Sequence, residues 1–582
     1  MNKRKNIEQD IEREMGEDVR RILEGEDLRD ISEEAGPRLY PGMEDAGIGS
    51  TTRIYNNELP DEKLPDDDLL DDDLPDDGYG ELPEGTLDEG FFDADDDLTD
   101  EEDEEEEYPR RPRKRRRGPY LFIACAFGLL FLLLSAHLVY FNLRMKDEIL
   151  SSPYNRRQNA QADLVRRGKI VSIDGATLAR TDTWDDGTEE RVYPYANIFA
   201  HAVGFVTHGK SGIESAANYE LLTSHINIID QIINEFLKKK SEGDTVVTTL
   251  NAGLQETAYY ALGDYRGAVL VMNPKTGAIL AMVSKPNFDP NTLADIWDEM
   301  VSDPTNSNLV NRALQGLYPP GSTFKIATSL AYYRQNRSFD NFFYNCTGEF
   351  TIDDYTVHCY KGTVHGEEDF SGAFAHSCNT AFSQIGLMLG NARLTDVAKS
   401  LMFGESLPTE LIASKSRWSL DRSSDEIELV QTAFGQGKTL VTPYHMALIV
   451  SAIANGGTLM TPRLIDHIES ASGEIVSKTK PVKYKDLLSA KEAEALTELM
   501  VKVVTQGSAS ALSEMGFRVA GKTGSAEYAK SDGTIGTHSW FVGFNNPDDP
   551  DLVIAVLAED GGAGSSTAVP IAARILEAYY GY

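Results

Sequence analysis

One uncharged stretch constrains this chain more than any other. Residues 120–140, YLFIACAFGLLFLLLSAHLVY, are 21 consecutive positions without Asp, Glu, Lys or Arg. At about 1.5 Å per helical residue, this length crosses a hydrocarbon core of about 30 Å. A cleaved signal peptide has a shorter apolar core at the extreme N-terminus, whereas this stretch follows a long polar segment. We therefore expect a permanent transmembrane helix over residues 119–141.

The charge of the chain is concentrated before this helix. Residues 1–108 carry 41 acidic and 10 basic side chains, which account for most of the net charge of −38. The segment 109–118 then contains RRPRKRRR, and basic segments beside a membrane span remain in the cytoplasm. We expect a cytoplasmic tail and an extracytoplasmic region after residue 142. The acidity describes the tail, and we expect no nucleic-acid partner.

The acidic tail has two parts. Residues 56–107 are low in complexity and rich in Asp, which predicts disorder. Residues 6–31 place apolar side chains three or four apart, which predicts an amphipathic helix. Its polar face is acidic, and an anionic membrane surface would repel it, so we expect it to dock a protein partner. A helix that merely improves solubility remains the alternative.

The extracytoplasmic region divides into a small pedestal domain, residues 142–242, and a large α/β domain, residues 243–582. The pedestal ends in a helical pattern, INIIDQIINEFLKKK. In the large domain, AVLVMN and AILAMVS flank the turn NPKTG, which predicts a β-hairpin. FRVAGKTG, SWFVGF and LVIAVLAE predict late strands, and a closing helix is expected from Ala568 to Tyr579.

Three short motifs of the large domain suggest chemistry when they are taken together. In PPGSTFK, residues 319–325, the prolines place Ser322 at a helix start, and Lys325 lies three positions later on the same face. This predicts a nucleophile with its base, although a capping serine has the same pattern. A second pair with this spacing, Ser477 and Lys480, lies in a charged, strand-like run and is interpreted as accidental.

The other two motifs follow in the order SxN and KTG. Ser377 and Asn379 can point into one cleft if their tripeptide separates two helices. Lys522-Thr523-Gly524 lies in a strand-like run, where the lysine supplies a charge and the glycine lets a ligand approach the backbone. An earlier copy, residues 275–277, is interpreted as a hairpin turn. The phosphate-loop pattern GFRVAGKT is disfavoured because no helix pattern follows it.

Cysteine usage is low. Cys125 lies in the apolar stretch, and Cys346, Cys359 and Cys378 follow in the large domain. Their spacing matches neither a disulfide scaffold nor a known metal motif, so we expect no metal and no cofactor. A Cys346–Cys359 bridge is possible in an oxidising exterior, and a reduced pair is equally allowed.

The ordered set SxxK, SxN and KTG is typical of serine acyltransferases that react with penicillin. With NRALQGLYPPGSTFK, SCNTAF and GKTGSAE in family order, the chain resembles class B, monofunctional penicillin-binding proteins, which are peptidoglycan D,D-transpeptidases. The resemblance implies their fold, a mainly antiparallel sheet flanked by helices with a helical subdomain. Relatives often have Asp-Arg at the positions of Ser172-Ile173, and threonine in place of Ser525.

The resemblance also implies the roles of individual residues. Ser322 attacks the penultimate D-alanine carbonyl of a stem peptide, Lys325 acts as base, and Ser377 relays the proton. Asn379 holds Lys325 and the substrate amide. The donor carboxylate is bound by a separate set of residues: Lys522, Thr523, Gly524 and Ser525.

The implied partners are stem peptides, β-lactams, a membrane glycan polymerase, and division or elongation proteins. No glycosyltransferase domain fits between the membrane span and residue 243, so we do not expect a bifunctional enzyme. The alternatives are a D,D-carboxypeptidase, which transfers the acyl group to water, and a β-lactam sensor.

Overall fold

The computed structural model describes residues 118–141, 164–227, 234, 239–530 and 532–581. The expectations for the acidic tail, for its helix at 6–31, for the basic segment up to residue 117 and for most of the pattern INIIDQIINEFLKKK lie outside the described residues. The chain forms two units, Met1–Val139 and Tyr140–Tyr582, which are described separately.

The described residues of the first unit all belong to one apolar helix, α1, Gly118–Tyr140. Within it, Phe122–Tyr140 is long and apolar enough to cross a membrane, and none of that stretch is buried. Exposure of these aliphatic and aromatic side chains to water would cost free energy, whereas the hydrocarbon core of a membrane solvates them. The helix therefore fits a single-pass membrane anchor, as its sequence predicts.

The described part of the second unit contains helices that alternate with strands. The helices are α2 (Ala200–Val203), α3 (Gly212–Ala216), α4 (Asn218–Leu221), α5 (Ala252–Leu262), α6 (Leu293–Ser302), α7 (Lys325–Asn336), α8 (Phe370–Ala375), α9 (Asn379–Ser400), α10 (Glu426–Ala433), α11 (Pro443–Ala454), α12 (Ala490–Thr505) and α13 (Ala568–Tyr580). The strands are β1 (Val165–Arg166), β2 (Ile170–Val171), β3 (Thr177–Thr183), β4 (Glu189–Val192), β5 (Ser241–Glu242), β6 (Thr245–Thr248), β7 (Gly267–Met272), β8 (Ile279–Lys285), β9 (Phe343–Cys346), β10 (Glu349–Ile352), β11 (Tyr355–His358), β12 (Gly366–Asp369), β13 (Thr458–Met460), β14 (Ile465–Glu469), β15 (Ile475–Lys478), β16 (Lys483–Asp486), β17 (Val519–Ala529), β18 (Ile535–Asn545) and β19 (Val553–Ala558).

A five-stranded antiparallel sheet organises the large domain, in the order β17-β18-β19-β7-β8. The predicted hairpin is its β7–β8 pair, and the three predicted late strands are β17, β18 and β19. Strands β7 and β19 are buried on both faces, which explains their continuous apolar runs. Helices α5 and α13 pack beside each other and contact the sheet, as does the almost fully buried helix α11.

Buried apolar residues around this sheet form one continuous core. Helix α11 shows why local sequence and packing agree, since Thr442 caps its N-terminus, Pro443 occupies its first turn, and nearly every side chain after that is apolar. Helix α12 begins with a capping box formed by Ser489 and Glu492. The core holds the helices rigidly against the strand that carries the third motif.

A second, six-stranded sheet runs in the order β15-β14-β6-β2-β3-β4. Its strands come from both sides of the predicted boundary at 242/243, because β14 pairs with β6 and β6 pairs with β2. The departure at Ser172 is accommodated here, since the buried Ser172 hydroxyl accepts a hydrogen bond from Ala176 N–H at 2.9 Å. That bond helps to close the turn between β2 and β3.

Candidate active site

The first motif forms a tight turn at the start of α7. Ser322 lies in a single 3-10 turn, Gly321–Phe324, that leads directly into the helix beginning at Lys325. Gly321 has φ of 54°, and a Cβ there would lie 3.0–3.1 Å from the backbone of Ser525 and from Ala526. Glycine is therefore required both by the backbone conformation and by the close approach to β17. Ser322 is half-buried at this junction.

The second motif lies at the junction of two helices, which is the condition under which its serine and asparagine can point into one cleft. Helix α8 ends at Ala375 and α9 begins at Asn379. Ser377, between them, has φ of 60°, a left-handed conformation that is uncommon and strained for a residue with a Cβ. This sharp reversal turns both Ser377 and Asn379 towards Lys325.

The third motif lies on strand β17, whose alternation assigns its side chains to two faces. Thr523, Ser525 and Glu527 line a cleft of about 880 Å³. Gly524 faces the Ser322 turn, and a Cβ on it would come within 3.1 Å of Thr323 Cγ2 and of Trp540 Cβ. The sequence predicts a glycine for close approach of a ligand, and the structure adds close packing of the turn against this strand.

Lys325 and Ser377 form the centre of the hydrogen-bond network. Lys325 Nζ donates to Ser377 O at 2.7 Å, to Asn379 Oδ1 at 2.8 Å and to Ser377 Oγ at 3.2 Å. Lys522 Nζ donates to the same Ser377 Oγ at 3.0 Å. The hydroxyl of Ser377 therefore bridges two lysines that come from the first and third motifs.

This network differs in one respect from the prediction made by helical spacing. The i, i+3 spacing places the Lys325 amine against the Ser322 hydroxyl, but the hydrogen bonds of Lys325 among the described residues go to the second motif. Both lysines are fully buried, whereas Ser322, Ser377 and Asn379 line the cleft together with residues of β17. The hydroxyls and the amide thus face a ligand, and the lysines lie beneath them.

Burial determines the ionisation of the two lysines. It lowers the pKa of Lys325 to about 7, against a smaller opposite effect of the nearby Cys378 and Cys359. Burial also lowers the pKa of Lys522 well below its ordinary value, and the charge of Lys325 adds to that effect. An amine with a pKa near neutrality can accept a proton at physiological pH, as a general base must.

Several residues that support this site carry no recognisable motif in the sequence. Ser508 Oγ lies 2.5 Å from Thr523 Oγ1, in a hydrogen bond that orients the threonine hydroxyl. Trp540 Nε1 donates to Pro319 O at 3.1 Å and fixes the chain before the Ser322 turn. The position of Glu527 in the cleft could be found from the alternation of side chains along β17, whereas only the tertiary structure identifies Ser508 and Trp540.

The accidental copies of the motifs are structural, as interpreted from the sequence. Ser477 lies on β15, an exposed strand of the six-stranded sheet. Lys275 lies in the turn between β7 and β8, and its Nζ pairs with the exposed Asp549. The run GFRVAGKT continues into the strand β17 without a helix, so it does not form a phosphate loop.

Comparisons with known proteins agree with this architecture. A family model described as the penicillin binding protein transpeptidase domain matches residues 267–577. A second model, described as the penicillin binding protein A dimerisation domain, matches residues 167–246. The two matches together span most of the extracytoplasmic region expected from the sequence.

Individual relatives are similar over most of their length. Peptidoglycan D,D-transpeptidase PbpA of Mycolicibacterium smegmatis is 32% identical over 480 residues, which cover 77% of this chain and 96% of that protein. The structure of penicillin-binding protein A from M. tuberculosis as a penicillin G acyl-enzyme complex has a TM-score of 0.65 and 30% identity, and the match covers 71% of this chain and 99% of that one. A D,D-transpeptidase domain from Eggerthella lenta has a TM-score of 0.65 and 32% identity, with coverage of 72% and 99%.

Proposed function

Since the chain belongs to the penicillin-binding protein transpeptidase family, we propose that its cleft catalyses D,D-transpeptidation with Ser322 as the nucleophile. The enzyme is a serine-type peptidoglycan D,D-transpeptidase of cell-wall synthesis, and β-lactams acylate proteins of this kind. The observation that carries the residue assignment is the meeting of three distant motifs at Ser377 Oγ, where both buried lysines donate hydrogen bonds.

In the acylation step, Ser322 Oγ attacks the carbonyl carbon of the penultimate D-alanine. Lys325 accepts the hydroxyl proton, which requires its neutral form, and its lowered pKa of about 7 supplies that form. The backbone N–H groups of Ser322 and Ser525 stabilise the oxyanion. The C–N bond then breaks, and the terminal D-alanine leaves as an amine with a proton relayed by Ser377.

In the second step, an acceptor amine from another stem peptide attacks the Ser322 ester. A new C–N bond forms, the ester bond breaks, and the excess proton of the amine returns through Lys325 to the serine oxygen. Asn379, which holds Lys325 and faces the cleft, hydrogen-bonds the substrate amide. The products are a crosslink and the regenerated enzyme.

The donor carboxylate is held at the opposite side of the cleft. The proposed contacts are the hydroxyls of Thr523 and Ser525 and the charge of Lys522. Gly524 has no side chain, which lets the strand pack closely against the Ser322 turn. Lys522 lies fully buried next to another lysine, so a carboxylate above it would raise its pKa and favour the charged form. Ser525 retains the hydroxyl that relatives supply from threonine.

Product analysis tests this function. The purified full-length enzyme is incubated with a stem pentapeptide ending in D-Ala-D-Ala and with an amine acceptor, and the products are separated by mass. We expect a crosslinked product whose formation is blocked by penicillin. A trimmed tetrapeptide as the sole product, at saturating acceptor, would assign the chain to the D,D-carboxypeptidases instead.

The ionisation of Lys325 predicts the pH dependence of acylation. The neutral amine is the reactive form, so the second-order rate constant should rise about tenfold per pH unit below pH 7 and level off above it. Rates of labelling with a fluorescent penicillin between pH 5 and pH 9 measure this profile. A rate that continues to rise in proportion to hydroxide up to pH 9 would contradict a base with a pKa near 7.

The anchor helix places the enzyme at the membrane, and we further propose its orientation. The seven basic residues within 110–117 favour a cytoplasmic tail, with the pedestal at 142–242 and the transpeptidase domain at 243–582 outside. A membrane glycan polymerase and division or elongation proteins are the proposed partners, because transpeptidation acts on newly made strands.

Protease accessibility tests the orientation. Protease added to wall-less cells should digest the region after residue 142 and spare an epitope tag at the N-terminus, since the basic cluster prevents the tail from crossing the membrane. A tag on the C-terminus is the matched control and should be lost at the same protease concentration. Loss of the N-terminal tag with survival of the large domain would show that the protein has the opposite topology.

A further inference from the structure

Three cysteines and one histidine, distant from each other in sequence, meet directly behind the second motif. Cys346 ends β9, Cys359 follows β11, His365 precedes β12, and Cys378 lies between Ser377 and Asn379. The sulfur atoms and a ring nitrogen of these four side chains lie within 4.8 Å of one another. All three cysteines are free thiols and are at most 2% exposed. We propose that this cluster, the Cys3His centre, binds one Zn²⁺ ion as a structural metal site.

The distances in the centre match tetrahedral coordination. Zn–S bonds of about 2.3 Å at the tetrahedral angle place two sulfurs about 3.8 Å apart, and a Zn–N bond of about 2.0 Å places nitrogen about 3.5 Å from sulfur. Cys359 Sγ lies 3.7 Å from Cys346 Sγ and 3.8 Å from Cys378 Sγ. His365 Nδ1 lies 3.3 Å from Cys346 Sγ. One cation therefore fits among all four atoms with little rearrangement.

Polar groups around the sulfurs are arranged to support thiolates. Gly348 N–H points at Cys346 Sγ, and Ala381 N–H points at Cys378 Sγ, both at 3.4 Å. The buried Thr380 hydroxyl donates to Cys346 Sγ at 3.2 Å and lies 3.3 Å from Cys378 Sγ. N–H and O–H groups directed at sulfur are what a thiolate ligand requires around a metal, whereas an apolar core needs none of them.

The donor set determines which metal fits. Three thiolates and one imidazole form a closed, soft set that is typical of structural Zn²⁺ and unsuited to Mg²⁺ or Ca²⁺. All four positions are supplied by protein, so no position is left for a reacting water. The centre would stabilise the fold rather than take part in the reaction.

The location of Cys378 gives the centre a consequence for the cleft. Its neighbours Ser377 and Asn379 are the two residues that hold Lys325, and Ser377 has a strained left-handed conformation. Cys378 also caps the N-terminus of α9 through the Ala381 N–H. A metal bound to Cys378 would fix the backbone of the motif from behind, so the four ligands act as positioning residues.

The sequence alone does not reveal the centre, because its ligands are spaced 13, 6 and 13 positions apart. That spacing matches no paired-cysteine motif, so the sequence predicts no metal. The antiparallel pairs β9–β12 and β10–β11 bring Cys346, Cys359 and His365 together, and the junction of α8 and α9 adds Cys378.

Metal analysis of the wild-type protein tests the proposal directly. We expect full-length protein, purified in detergent without chelator, to contain about one zinc ion per chain when measured by inductively coupled plasma mass spectrometry. After exchange, Co²⁺ should give thiolate-to-metal charge-transfer absorption and the d–d bands of a tetrahedral site. Absence of stoichiometric metal together with absence of these bands on adding Co²⁺ to reduced protein would overturn the proposal. A stoichiometric Cys346–Cys359 disulfide, found by peptide mapping of unreduced protein, would overturn it as well.

Substitutions locate the site. Cys346→Ser and His365→Gln should each lower the affinity for zinc, measured by competition with a chelator, at least roughly tenfold. Cys125→Ser, in the membrane helix, and His376→Gln, whose ring stacks on His365 at 6.0 Å, are the matched controls and should retain the metal. Equal loss in a control and a ligand variant would overturn the assignment, and the wild-type cobalt spectrum decides the question even if a variant does not fold. None of these readouts depends on transpeptidase activity, so they remain valid if the proposed function fails.

Discussion

Replacement of Ser322 by alanine should abolish covalent labelling by a fluorescent penicillin. The acyl group is transferred to Oγ of this serine, so without that atom no acyl-enzyme forms and the labelled band falls to background. Crosslinking of stem peptides should fall at least about a thousandfold, which is the usual scale for removal of a nucleophile. The substitution removes one half-buried oxygen from a turn, so the melting temperature should change little.

Ser477→Ala is the control for this experiment, since it removes a serine with the same spacing to a lysine. It lies on the exposed strand β15, and the variant should be labelled at the wild-type rate. Persistent labelling of Ser322→Ala would require another nucleophile, and the assignment would be wrong.

Replacement of Lys325 by arginine should reduce the rate of acylation by about 100- to 10,000-fold, the usual contribution of a general base. Arginine remains protonated at any pH at which the protein is folded, so it cannot accept the proton of Ser322. Lys325 is fully buried, where its neutral form is favoured, and a permanent charge there also disturbs the hydrogen bonds to Ser377 and Asn379. The observed rate constant for penicillin labelling measures the effect.

Two further variants separate loss of the base from loss of the fold. Lys325→Met keeps the length of the side chain without charge, and it should be as inactive as the arginine variant while melting within a few degrees of wild type. Lys275→Arg, in the turn of the β7–β8 hairpin, changes an exposed lysine of the accidental KTG copy and should leave the rate unchanged. Wild-type rates in Lys325→Met would exclude Lys325 as the base.

Much of the site can be predicted from the sequence because the information is local. Proline and glycine before Ser322 place it at a helix start, and the structure has a tight turn that leads into α7. The tripeptide 377–379 lies at the junction of two helices, the condition for its side chains to share a cleft, and Lys522 lies on a strand, as predicted. In each case the signal is backbone chemistry over fewer than ten residues, which does not depend on distant parts of the chain.

The arrangement of the motifs could be predicted only in part. Spacing along α7 predicts a contact between Lys325 and Ser322, but the structure directs the Lys325 amine to Ser377 and Asn379. The difference arises because a long side chain in the core follows the nearest buried acceptors, and these come from a segment more than 50 positions away. Buried polar groups must find partners, wherever the fold supplies them.

The anchor helix, the hairpin β7–β8 and the turn at Ser322 could be predicted from the sequence alone, since each follows from length, periodicity or turn chemistry. Three features arise only in the folded chain: Lys325 and Lys522 share one hydroxyl, β14 joins the sheet of β2 and β6, and three cysteines meet one histidine. The two groups of features differ in the range of the interactions that produce them. Local preferences act over a few residues, whereas the depressed pKa of Lys325 and the clustering of buried sulfurs arise from the closing of one apolar core around polar groups that are distant in sequence.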